Sequence, residues 1–149
     1  MTKLSDAGKL QRESVYVAGP MTGIPEYNFP AFHAATRVLR NLGHVVFNPA
    51  EMDTPEDIAQ YQAGSAGAES ETWRYFLARD LEIVLTKADA VVVLPGWRNS
   101  QGATLEVTTA LTAGKPVYEY PTLKRLPLVT PLPTWVLEEG LHDPVSEGV

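Results

Sequence analysis

Four short runs of β-branched and other apolar residues punctuate the chain: Ser14 to Ala18, His44 to Asn48, Ala88 to Leu94 and Lys115 to Tyr120. Gly or Pro follows or interrupts each, as is usual where strands stop. Between them, apolar residues recur every three or four positions. Phe32, Ala35, Val38, Leu39 and Leu42 predict a helix from about Pro30 to Leu42. Pro30 suits its first position and Gly43 suits its C-cap. Trp73, Phe76, Leu77, Leu81 and Val84 predict a second helix over Glu71 to Thr86. A third is expected from Gly102 or Ala103 to Gly114. The nearly continuous apolar run of Ala88 to Leu94 predicts a strand buried on both faces.

Strand and helix therefore alternate. The expected fold class is α/β: a Rossmann-like (flavodoxin-like) three-layer sandwich with a parallel sheet of four to five strands. In such sheets ligands bind outside the carboxyl ends of the strands. Two loops qualify, Gly19 to Phe29 after the first strand and Pro95 to Gln101 after the third. Residues 1–13 are expected to be a disordered lead-in, residues 14–120 one domain, and residues 121–149 a Pro-rich tail packing on it. The tail is expected to hold one short helix, Thr134 to Glu139, anchored by Trp135 and Val136. Ala50 to Ser70 reads as a long loop, of the kind that often serves as a lid, with a short helix near Pro55 to Gln62.

Composition narrows the chemistry. The 149 residues suffice for one self-supporting core. No cysteine is present, so disulfides and thiolate chemistry are excluded. The formal charge of −6 disfavours long nucleic acids and anionic membranes as partners. No apolar run approaches the ~20 residues of a membrane span, and no secretory leader is evident, so a cytoplasmic protein is expected. His33, His44 and His142 lack ligand spacing, so no metal is expected.

Three features remain as candidate chemistry. Gly19 to Gly23 forms a turn in which exposed N–H groups can approach a phosphate or sugar, although a tight structural turn explains it equally well. Its spacing fits neither common phosphate-loop fingerprint. Ser100, Gln101 and Gly102 precede a helix whose N-terminus favours an anion, with Ser100 as hydroxyl donor. Glu106 lies in that helix among Ala103, Leu105, Val107, Ala110 and Leu111, where a carboxylate must be paired or used. Arg79-Asp80 reads, on the residues alone, as a solvated ion pair, and Asp89 as a turn or capping residue.

Taken in order, Tyr16-Val-Ala-Gly-Pro20, Arg79-Asp80, Ala88-Asp-Ala-Val-Val-Val93, Ser100-x-Gly102-x-x-x-Glu106 and Gly114-Lys-Pro116 resemble the nucleoside 2-deoxyribosyltransferase superfamily. That group includes the 2′-deoxynucleoside 5′-phosphate N-hydrolases. With Met21-Thr-Gly23, Asn28-Phe-Pro30 and Pro95-Gly-Trp97, the chain looks most like a branch common in bacteriophage genomes. The resemblance spans about Val15 to Tyr120. It implies that Glu106 is a nucleophile attacking C1′ of deoxyribose and that Asp80 orients or protonates groups at the scissile bond. It implies that Tyr16, Gly19, Met21 and Gly102 line the pocket and that Ser100 holds a 5′-phosphate. Arg98 is expected to add charge complementarity and Trp97 to stack on a base. The chain departs from the family pattern in Val107-Thr-Thr after Glu106 and in Met21-Thr22 after the first strand.

The expected function is therefore N-glycosidic bond cleavage or base exchange, on a 2′-deoxynucleoside or its 5′-monophosphate, through a covalent glutamyl-deoxyribose intermediate. No cofactor is needed. The expected partner is a nucleoside or nucleotide, and a homodimer or larger assembly follows by resemblance. The alternative is a non-catalytic nucleotide-binding or regulatory module, including a phage protein aimed at a host partner.

Overall fold

The structure, a computed structural model, describes residues 13–53, 56 and 71–127. Strand β1 covers Ser14–Ala18, β2 Val45–Phe47, β3 Ala90–Val93 and β4 Val117–Glu119. They pair in parallel in the spatial order β2-β1-β3-β4. A short fifth strand, β5 at Lys124–Arg125, adds antiparallel to β4. The expected four to five strands are present, with the last reversed. Helix α1 spans Phe29–Asn41, α2 Pro49–Met52, α3 Glu71–Thr86 and α4 Gln101–Thr112. The molecule is thus a mixed α/β sandwich around a mostly parallel sheet.

The layers follow from the period-2 alternation of strand side chains. Val15 and Val17 of β1 join Ala90 and Val92 of β3 on one face, packed against Phe32, Ala35 and Leu39 of α1. Tyr16 and Ala18 join Val91 and Val93 on the other, packed against Ile83 and Val84 of α3 and Ala103, Val107 and Ala110 of α4. Each fully buried aliphatic or aromatic side chain contributes roughly 1.5–3 kcal/mol relative to exposure. Both faces of β1 and β3 are covered, which accounts for their unbroken apolar sequence. Helix α1 corrects the expected stripe. Thr36 takes an inward place, donating its hydroxyl to the Phe32 carbonyl at 2.7 Å, while Val38 and Leu42 stay exposed.

Helix ends are tied down by side chains. Asn48 accepts the Ala50 N–H at the start of α2, so Pro49 opens a helix as well as ending a strand. Lys115 donates its ammonium to the carbonyls of Val84 and Leu85 in the last turn of α3 and of Ala88 just past it, at 2.7, 2.9 and 2.6 Å. Asp89 accepts the Ser14 N–H at 3.1 Å and so fastens β1 where β3 begins. Glu13, expected in the lead-in, is buried and donates its N–H to Nδ1 of His44 at 3.2 Å. The expected lead-in over residues 1–12, nearly all of the short helix near Pro55 to Gln62, and the tail helix at Thr134 to Glu139 lie outside the described residues.

Strand order reverses between β1 and β3. The connection from β1 runs to one side through α1, and that from β3 to the other through α4. The loops after β1 and β3 therefore part above the sheet and open a crevice there. Gly19 sits at the parting. A Cβ there would stand 2.9 Å from Cβ of Leu94, too close for any other residue without displacement. Further along the same loop, Glu26, Tyr27 and Asn28 all adopt left-handed backbone, with φ of 56, 52 and 60°. Such conformations cost of order 1–3 kcal/mol each for a non-glycine residue. Asn28 holds this turn against the loop by donating its side-chain amide to the Pro20 carbonyl at 2.9 Å.

Candidate active site

The crevice holds a cavity of about 60 Å³. Tyr16 enters from β1, Asp80 from α3 and Glu106 from α4, and all three are buried. Gly19, Met21 and Thr22 wall one side, Ser100 and Gly102 another, and Trp73, Leu77, Phe32 and Pro49 complete it. A second cleft of about 240 Å³ adjoins it, sharing Met21, Thr22, Trp73, Ser100 and Gly102 and adding Pro20, Asn99 and Gln101. Together they reach the ~300 Å³ at which small-molecule sites begin.

Tyr16 is wholly buried and donates its hydroxyl to Oε2 of Glu106 at 2.6 Å. The same hydroxyl also acts on Asp80. It owns a single hydrogen, so it serves one acid at a time, and its donation to Asp80 favours that carboxylate's ionised form. Arg79 grips Asp80 from outside. Its Nε and one terminal nitrogen meet Oδ1 of Asp80 at 3.0 and 2.9 Å, and its other terminal nitrogen meets Oδ1 of Asp53 at 2.9 Å. Asp53 follows α2 directly, so the chain Asp53, Arg79, Asp80, Tyr16, Glu106 crosses four elements.

Three carboxyl groups and one guanidinium in a low-dielectric place cannot all hold ordinary proton affinities. Burial pushes Glu106 well above the usual carboxyl range; the Asp80 charge pushes it further and the Tyr16 hydrogen bond opposes. Burial also raises Asp80, to about 6, against the lowering effect of Arg79. The Tyr16 hydroxyl is raised by burial first and by Glu106 second, so it stays protonated at neutral pH. The two facing acids therefore titrate as a pair that keeps about one proton near neutrality.

Ser100 is the N-cap of α4, accepting the Ala103 N–H at 3.1 Å. Its hydroxyl hydrogen and the first N–H groups of the helix border the cavity and cleft, where they suit an anion. Among the described residues, no lysine or arginine lines the cavity or the adjoining cleft.

Tyr16, Gly19, Met21, Asp80, Ser100, Gly102 and Glu106 all line the cavity, as expected. Trp97 and Arg98 do not. Trp97 turns down into the core beside Tyr16 and Ala103, and Arg98 stacks on its outer face, 4.5 Å from the ring centre. Both border a separate opening of about 410 Å³, with Glu119, Tyr120 and Pro121. Neither is placed to stack on a base or meet a phosphate in the acid-lined cavity. Asp80 also corrects its reading as a solvated ion pair: its Arg79 partner is half-buried and Asp80 itself lies beneath it. Asp53 is not legible in the sequence, because only the folded chain brings the residue after α2 to Arg79. Trp73 and Leu77, read only as core positions, line the cavity instead.

Fold and site together define a mostly parallel α/β protein with a proton-sharing acid pair at the carboxyl ends of its strands. The chain belongs to the family of the domain of unknown function DUF4406, whose model matches residues 13–119 and so contains every residue of this site. No curated protein matches the chain. Among the described residues, no helix is long and apolar enough to cross a membrane, and no cluster of three or more His, Asp or Glu could hold a metal ion.

Proposed function

We propose that this protein breaks or exchanges the N-glycosidic bond of a 2′-deoxynucleoside or its 5′-monophosphate. The observation that carries the reading is the convergence of Glu106, Tyr16 and Asp80 in one buried cavity at the strand ends. The sequence resemblance to the nucleoside 2-deoxyribosyltransferase superfamily supplies the substrate class.

Cleaving such a bond builds positive charge at C1′ and negative charge on the departing base. The pair answers both needs with one proton. In the reactive form the shared proton has passed from Glu106 to Asp80; Glu106, then ionised and oriented by the Tyr16 hydroxyl, attacks C1′ and forms a glycosyl ester. Asp80 gives its proton to the departing base. Water then attacks C1′, Asp80 takes the proton of that water, and Glu106 is released as carboxylate. Attack by a second base in place of water gives exchange. The N-terminus of α4 and Ser100 receive the 5′-hydroxyl or 5′-phosphate. A cytoplasmic homodimer belongs to the same reading and rests on the same resemblance.

The test is incubation with each 2′-deoxynucleoside and its monophosphate, followed by chromatography for free base. Glu106→Ala is expected to lower base release by at least ~10³-fold, in line with removal of a residue that acts within a catalytic unit. Absence of release or exchange from every nucleotide, or an unchanged rate in Glu106→Ala, would overturn the proposal.

A further inference from the structure

Asp80 is gripped by a cation that is itself divided. One terminal nitrogen of Arg79 is committed to Asp53 at 2.9 Å, and the Nε edge is committed to Asp80. The Asp53 side chain is only 4% exposed, so this second ion pair is shielded from solvent. Exposed pairs are screened and matter little, whereas shielded ones set the ionisation of their members. We propose that Asp53 and Arg79 are positioning residues: Arg79 holds Asp80 in place beside Tyr16, and Asp53, by drawing off part of the guanidinium charge, leaves Asp80 a strong enough proton holder to act as the acid of the pair.

The groups acting on Asp80 come from every element packed against it. Arg79 stands beside it on α3, Asp53 follows α2, Tyr16 projects from β1 and Glu106 from α4. Arg79 lowers its proton affinity and Asp53 raises it. A carboxyl facing an undivided guanidinium at this distance would fall by about 1–3 pH units. It would release its proton well below the point, about 6, at which Asp80 now does. Asp53 therefore acts without touching the substrate. It also ties the acid to the point where the chain leaves α2, so displacement of that end of α2 would change the acid strength of Asp80.

This inference rests on the acid–nucleophile reading above, but it has a readout of its own. In the full chain labelled with carboxyl ¹³C, Asp80 and Glu106 are titrated by NMR in wild type, Asp53→Asn and Arg79→Gln. The Asp80 midpoint is expected to fall by about one pH unit in Asp53→Asn and to rise by about as much in Arg79→Gln. In base release, the alkaline limb of the pH profile is expected to move in the same two opposite directions, and Arg79→Lys to restore it toward wild type. Two variants that lose rate without moving the limb, or an Asp80 midpoint unmoved by Asp53→Asn, would overturn the positioning role. Absent turnover in wild type with shifting midpoints would instead overturn the reaction and leave the charge relay standing. If Arg79→Gln does not fold, the Asp53→Asn shift decides alone.

Discussion

Glu106 carries a thermodynamic penalty that its role would explain. Its folded-state proton affinity is raised above that of the unfolded chain, chiefly by burial. The native state therefore favours the neutral acid. Stability is lost as pH rises from the ordinary carboxyl range, near 4, toward the raised folded value. Glutamine has the same shape, cannot ionise and can still accept from Tyr16. Glu106→Gln should accordingly melt higher than wild type at pH 7 and above, by ~2–4 °C for each kcal/mol recovered in a chain of this size. The advantage should close near pH 4. Equal melting temperatures at pH 7, measured by calorimetry, would contradict the burial argument. A functional residue that costs stability is a common trade.

The sequence carried this glutamate in plain form, as an acid inside an apolar helix. Asp80 is equally present, but its residues alone read as a solvated ion pair and only the family resemblance marks it. It lies four residues after Phe76 and three before Ile83, on the face that α3 buries. The adjacent Arg79 suggested solvent, yet arginine can reach round from a flank and grip a buried acid. The periodicity placed Asp80 correctly; the charge beside it masked the placement.

At the scale of elements, boundaries followed local chemistry. Helix α3 runs over Glu71–Thr86, as its apolar spacing predicts, and the short core strands sit inside the expected runs. What sequence reading missed lay between elements. Trp97 and Arg98 stand outside the acid-lined cavity because the loop after β3 makes a turn at Gly96, with φ of 85°, that sends Trp97 into the core. Nothing in the order of residues reveals that turn's direction. The close of α3 is the converse case. Lys115 belongs to a short motif met as a family feature, and its physical work is to satisfy three carbonyls that the helix end leaves open. Lys115→Met should destabilise the fold by about 1–3 kcal/mol, since two part-buried carbonyls and one exposed carbonyl would lose a charged donor. Urea titration checks this. A loss under ~0.5 kcal/mol would mean that water replaces the ammonium freely.

The whole molecule inherits its pH response from the acid pair. Most proteins gain stability from their carboxylates as pH rises through 4 to 6, because those groups are held ionised in the native state. Here Asp80 works the other way. With its folded value near 6 against an ordinary 3.8, the native state binds the extra proton between those limits, and stability from this group declines as pH climbs through them. The full effect is on the order of 3 kcal/mol. A melting-temperature profile should therefore peak near pH 5 and fall toward pH 7, and Asp80→Asn should flatten that fall. A monotonic rise to pH 7 would show that surface carboxylates outweigh the buried pair.

Tyr16 and Glu106 touch across ninety positions of chain. Among the described elements between them are α1, β2, α2, α3 and β3, and three of these, α1, α2 and α3, contribute a wall or a charge to the cavity. No contiguous fragment of the chain shorter than this span can own the site. Shuffling or splitting the gene between the codons for Tyr16 and Glu106 would separate partners that only the finished sheet reunites. The proposed activity is therefore inherited as a whole domain or not at all.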